Sequence, residues 1–103
     1  MIGSAHSFND IADTDGLHIS VASFTDIQVN VQNEEVTFGA GITYTQLIAK
    51  LTDYKMAIEN LPSLPHLNVV GSVVTGTHGS GIHHPGMASL VKEISFVDPS
   101  GRK

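Results

Sequence analysis

The sequence predicts an α+β fold: a mixed or antiparallel sheet with one amphipathic helix and shorter helical pieces. Three observations predict it. Short stretches alternate apolar and polar residues, one longer stretch repeats apolar residues at three- and four-residue steps, and ten glycines in 103 residues punctuate the elements with turns. Leu17-His18-Ile19-Ser20-Val21 alternates and reads as a short strand. Ile27–Gln32 alternates more cleanly, Asn33-Glu34 makes a turn, and Glu35–Phe38 returns as the second arm of a hairpin. Gly39-Ala40-Gly41 breaks that arm. Thr43 has the chemistry of an N-cap, and Tyr44, Leu47, Ile48, Leu51 and Tyr54 then fall on one face of a helix from Tyr44 to Tyr54. Met56–Glu59 is a short extended piece before a proline-rich loop. Asn68 caps a short helix over Val69–Val74. Leu90–Val97 forms the last strand, and Asp98-Pro99-Ser100-Gly101 is a strong turn signal.

Composition narrows the function classes. A net charge of −5, with only Lys50, Lys55, Lys92, Arg102 and Lys103 scattered along the chain, excludes a general nucleic-acid binder, which needs clustered cations for phosphates. No apolar run approaches the ~20 residues of a membrane span, so no membrane partner is expected. The absence of cysteine removes disulfides and thiolate metal sites and suits a reducing, cytoplasmic setting.

Two loops carry the chemistry. Gly71-Ser72-Val73-Val74-Thr75-Gly76-Thr77-His78-Gly79-Ser80-Gly81 holds four glycines, four hydroxyls, one imidazole and no formal charge. Its glycines permit positive φ and close backbone approach. Gly3-Ser4-Ala5-His6-Ser7-Phe8 repeats the theme. Such loops suit a large, polar, partly aromatic ligand such as a dinucleotide, held by backbone N–H groups rather than by a salt bridge. Neither loop is a P-loop, a Gly-x-Gly-x-x-Gly fingerprint or a Gly-x-Ser-x-Gly elbow. His66, His78, His83 and His84 are irregularly spaced, so no metal site is expected. His18 lies on the polar face of its strand and needs no role. Asp13, Asp15, Glu34 and Glu35 read as solvated turn charges, and the Tyr44–Tyr54 stripe as core.

The stretch from Gly3 to Gly16, and Leu61-Pro62-Ser63-Leu64-Pro65-His66 running into Gly71–Gly81, resemble the FAD-binding (PCMH-type) domain of the vanillyl-alcohol-oxidase-type flavoproteins. The nearest likeness is to alditol (sorbitol/xylitol) oxidases, with aldonolactone oxidases next. The resemblance covers nearly the whole chain and implies FAD as cofactor. It implies that Ile2, Gly3, Ser4, Ala5, His6 and Ser7 cradle the pyrophosphate, with Gly3 free to take positive φ. His6 matches a histidine that many members join covalently to the 8α-methyl of the flavin. Ser63, Asn68, Gly71, Thr75, Gly76, Thr77 and His78 fall on the second flavin-contacting segment, where relatives often carry serine in place of Asn68. The parent would oxidise the CH–OH group of a small polyol, passing a hydride to the flavin and electrons to dioxygen with release of hydrogen peroxide. The alternative is an aldonolactone oxidase or dehydrogenase of the same family. No catalytic residue is expected within these 103 positions.

The resemblance also implies that strands preceding the first loop and a C-terminal substrate domain are absent, making residues 1–103 a fragment of the FAD-binding domain. The fragment alone is expected to be inactive, and its exposed edge strands invite self-association. A reading from another class is a non-catalytic remnant that folds or dimerises without flavin.

Overall fold

The computed structural model describes residues 1–103. Its elements are β1 (Ile27–Asn30), β2 (Glu35–Phe38), α1 (Tyr44–Asp53), α2 (Val69–Val74) and a 3₁₀ turn at Met87–Leu90. The α+β expectation holds: one antiparallel two-stranded sheet, with Ile27 opposite Phe38 and Asn30 opposite Glu35, packs beside the helices.

The hairpin is shorter than the alternation suggests, because β1 ends at Asn30 and the loop takes Val31–Glu34. Asn30 Oδ1 accepts from Asn33 N at 3.1 Å, and Glu34 turns the chain at φ 54°. The side-chain bond closes the turn before Val31 and Gln32 can pair. Gly39 and Gly41 do more than break β2. Gly39 N donates to Asp26 O and Gly41 N to Phe24 O, both at 2.9 Å, so pairing continues past the strand. A Cβ on Gly41 would lie 2.3 Å from Val21 O, so this close approach requires glycine.

Helix α1 starts at a reciprocal cap. Thr43 Oγ1 accepts from Gln46 N at 3.4 Å, and Gln46 Oε1 accepts from Thr43 N at 2.9 Å. It ends with Lys55 at φ 56°, where Met56 N reaches Leu51 O and Lys55 N reaches Thr52 O, each at 3.0 Å. Its apolar stripe supplies Tyr44, Leu47 and Leu51 to a core completed by Ile42, Val69 and Met87. Ile27, Val29, Val36 and Phe38 cover that core from the sheet.

Two expected strands do not form. Leu17–Val21 pairs in strand fashion only with Ile2, through Ile2 N to Ile19 O at 2.9 Å and Val21 N to Ile2 O at 3.4 Å. The loop from Gly3 carries its would-be partner away after this single bridge, and His18 therefore lies on no strand; its Nε2 bonds Ala12 O instead. Leu90–Val97 runs without a partner, for the N–H groups of Lys92–Val97 meet no acceptor in the chain. A strand is a property of a pair, and alternation alone cannot supply the second member. The turn beyond it does form: Gly101 (φ 81°) donates to Asp98 O at 2.9 Å and Asp98 N donates to Arg102 O at 2.8 Å. The Ser100 hydroxyl and the Arg102 backbone N–H hold the Asp98 carboxyl below its ordinary range. No helix is long and apolar enough to cross a membrane.

Candidate cofactor site

The first loop leaves the Ile2 bridge and crosses the N-terminus of α2. A Cβ on Gly3 would lie 3.0 Å from Asn68 Cβ and Cγ, so the backbone passes over Asn68 at contact distance. Ser4 Oγ donates to His66 O at 3.2 Å. The His6 ring stands edge-on to the His66 ring, 5.2 Å between centroids at 87°, and 6.0 Å from the Phe8 ring. Gly3 does not adopt positive φ; Ala5 does, at 51°. The turn is made two residues later than the glycine, because Gly3 is required by proximity to Asn68.

Asn68 is the hub between the two segments. It is buried. Nδ2 donates to Ala40 O at 2.7 Å and to Ile42 O at 3.3 Å, while Oδ1 accepts from Gly71 N at 2.7 Å as the cap of α2. Both amide hydrogens are used within the fold, which makes Asn68 an organiser with no donor to spare. A backbone bridge between Thr43 and Asn68 ties the starts of α1 and α2 together. Deeper in, Tyr44 Oη and Ser72 Oγ are 2.6 Å apart, and Ser72 Oγ also donates to Val69 O at 2.7 Å. Burial pushes the Tyr44 phenol above its usual value, against a smaller opposing effect of the Ser72 bond.

The second segment divides in two. Gly71–Val74 is helix rather than loop. Gly71 N, Thr75 N, Gly76 N and Thr77 N all donate within the chain, the last at 2.9 Å to Ser72 O, as α2 closes at Gly76 (φ 73°). Thr75 Oγ1 donates to Gly71 O. From His78 to Ser80 the N–H groups have no acceptor in the chain, and the same is true from Gly3 to Ser7. His78 Nδ1 lies 2.8 Å from Gly79 O. A carbonyl only accepts, so Nδ1 carries the proton of this bond. Ser63 is exposed, with its hydroxyl unpaired.

Asn60 builds this second loop, although the sequence reading passed over it. Its Oδ1 accepts from Leu61 N at 2.9 Å, its Nδ2 donates to Pro85 O at 3.2 Å, and a Cβ on Gly79 would fall 2.3 Å from Oδ1 and 2.8 Å from Leu61 O. An Asn directly before Leu61-Pro62 was the available signal, since asparagine bonds its neighbouring backbone in turns. His66 closes the Leu61–His66 motif but is not among the residues that the resemblance places on the cofactor. No group of acidic, cysteine or histidine side chains is placed to hold a metal.

A family model described as an FAD binding domain matches residues 1–103. The chain belongs to the FAD-binding domain family. Among curated relatives, an alditol oxidase of a Streptomyces strain is 37% identical over 95% of the chain, covering 24% of that protein. The L-gulonolactone oxidase of Mus musculus is 33% identical over 98% of the chain and 23% of its own length. A D-arabinono-1,4-lactone oxidase of Kluyveromyces lactis is 31% identical, with 97% and 20% covered. The chain therefore spans about a quarter or less of the length of these relatives. No solved structure matches it.

The geometry fits FAD. Two runs of acceptor-free backbone N–H groups, Gly3–Ser7 and His78–Ser80, flank segments whose glycines lie against neighbouring atoms with no room for a side chain at Gly79 and little at Gly3. Backbone N–H groups without an acceptor in the chain are available to an anionic group such as a pyrophosphate.

Proposed function

We propose that this FAD-binding domain serves an oxidase that acts on the CH–OH group of a sugar alcohol. The observation that carries the reading is the 37% identity to an alditol oxidase across nearly the whole chain. FAD, when bound, supplies the acceptor for a hydride and passes the electrons to dioxygen, releasing hydrogen peroxide. The chain's own part is to bind and orient. The N–H groups of Gly3–Ser7 are proposed to hold the pyrophosphate. Those of His78–Ser80, with the Thr77 and Ser63 hydroxyls, are proposed to face the rest of the cofactor. Relative to the sequence reading, this moves backbone donation from Gly71, Thr75 and Gly76 to the residues that follow them, and gives Asn68 the task of joining the segments.

His6 is the proposed covalent anchor, through an imidazole nitrogen bonded to the 8α carbon of the flavin. Forming that N–C bond removes one N–H and one C–H hydrogen with two electrons, which dioxygen takes up as hydrogen peroxide. Substrate contacts lie outside these residues, so the isolated 103-residue chain is proposed to be inactive and to self-associate through Leu90–Val97. A cytoplasmic setting is proposed from the lack of cysteine.

The 33% identity to L-gulonolactone oxidase favours the second reading, oxidation of an aldonolactone. The full-length protein, assayed for peroxide with xylitol, sorbitol and L-gulono-1,4-lactone, separates the two. Peroxide from the polyols is the expected result; turnover of the lactone alone would replace the alditol reading. Yellow colour retained in an acid-precipitated pellet is expected for the covalent link.

A further inference from the structure

We propose that His66 is a positioning residue for His6. The inference rests on the reading of His6 as the flavin anchor, and it names the group that aims it. His66 is fixed by its neighbours to the first turn of α1: Pro65 O accepts from Thr45 N at 2.8 Å and from Thr45 Oγ1 at 2.9 Å, and Leu67 O accepts from Tyr44 N at 3.1 Å. The first loop has no such support, because the N–H groups of Gly3–Ser7 have no acceptor within the chain. His66 reaches that loop twice, with its carbonyl on the Ser4 hydroxyl and its ring against the His6 ring at 5.2 Å and 87°. Phe8 also approaches His6, but from farther, 6.0 Å between centroids, and from the same unsupported loop.

An anchoring imidazole must present one nitrogen in one direction. An exposed histidine on a loop samples several rotamers, and an edge-to-face contact with a ring carried on a held stretch of backbone selects among them. The backbone assists: Ala5 at φ 51° turns the loop immediately before His6. Contacts of this type are worth about 0.5–1.5 kcal/mol, which corresponds to roughly a 2- to 10-fold enrichment of the selected orientation.

The test uses the full-length protein with His66→Ala and His66→Phe. Phenylalanine keeps both an edge and a face but cannot carry a proton or a hydrogen bond. Two readouts are taken: the rate at which flavin-free protein supplied with FAD in air forms acid-stable flavin, and the ring ¹³C and ¹H shifts of His6 in flavin-free protein, assigned with His6→Gln. His66→Ala is expected to slow acid-stable flavin formation about 2- to 10-fold and to move the His6 ring shifts toward those of a free exposed histidine, with the melting temperature unchanged. His66→Phe is expected to restore both. Unmoved His6 shifts in His66→Ala, or failure of His66→Phe to restore what alanine lost, would overturn the positioning role. If the wild type forms no acid-stable flavin while its His6 shifts still depend on residue 66, the anchor reading fails and the positioning role stands.

Discussion

Residues 27–75 and the two arms that flank them follow different rules. In the middle, the hairpin and α1 enclose Ile42, Tyr44, Leu47 and Leu51, and the buried side chains of Asn68 and Ser72 have their polar atoms paired. In the arms, Phe8, Leu17, Ile82, Ile94, Phe96 and Val97 are exposed, and long runs of backbone N–H find no acceptor in the chain. The radius of gyration, 14.3 Å against about 13 Å for a compact chain of this length, reflects those arms. The difference sets the packed core apart from the proposed cofactor contacts. The middle holds the core with Met87 as the one buried apolar residue added from the arms, whereas the proposed backbone donors sit on the arms where they meet it, at Gly3–Ser7 and His78–Ser80.

The most direct way to break this comparison is to cut a side chain from each region. Leu47→Ala, in the core, is expected to destabilise by about 2–5 kcal/mol in denaturant unfolding. Phe96→Ala, which is 72% exposed, is expected to stay within about 0.5 kcal/mol of wild type. Equal losses would mean that the arms are part of the cooperative unit. Asn68→Ala comes next, at about 2–3 kcal/mol, since it removes a helix cap and leaves the half-buried Ala40 carbonyl without its donor, Ile42 O keeping that of Val69 N. A melting curve that does not move would remove Asn68 from its place between the regions.

Gly79→Ala sharpens the comparison from the other side. The new methyl meets Asn60 Oδ1 and the Leu61 carbonyl, so the loop must shift while the core is untouched. FAD affinity is expected to fall about tenfold, roughly 1.4 kcal/mol, with little change in melting; flavin titration by fluorescence quenching reads it.

Among the changes at buried positions the smallest effect is expected from Tyr44→Phe, at about 1 kcal/mol from the lost Ser72 hydrogen bond. It carries a pH signature. Because burial raises the Tyr44 phenol in the folded state, unfolding releases the proton more readily, so this contribution is full below the unfolded value near 10 and is lost as pH rises through the higher folded value. Stability measured from pH 9 to 11 should fall less steeply in the Phe variant. An unchanged slope would mean that the phenol is not desolvated.

What could be read in advance follows from how local each signal is. Helix α1 was legible because Thr43, Gln46 and the apolar stripe act within one helix, and the Asp98–Gly101 turn because aspartate bonds its own backbone. The two candidate loops were also legible, as clusters of glycine and hydroxyl side chains. Which residues in them keep free donors was not, because that depends on where α2 stops taking them up. Nor could the sequence show that Leu17–Val21 lacks a partner beyond Ile2, whereas the unpaired state of Leu90–Val97 was expected from the turn that follows it.

By itself, then, the sequence determined the hairpin, the capped helix, the two glycine-rich loops and the family, all of which rest on residues close together along the chain. Only the tertiary structure decided that Asn68 is spent on Ala40, Ile42 and Gly71, that Ala5 rather than Gly3 takes the left-handed turn, and that His66 meets His6. The distant meetings among these, Asn68 with Ala40 and His66 with His6, depend on packing α1 against the start of α2. Neither spacing nor composition encodes which side chains that packing brings within reach.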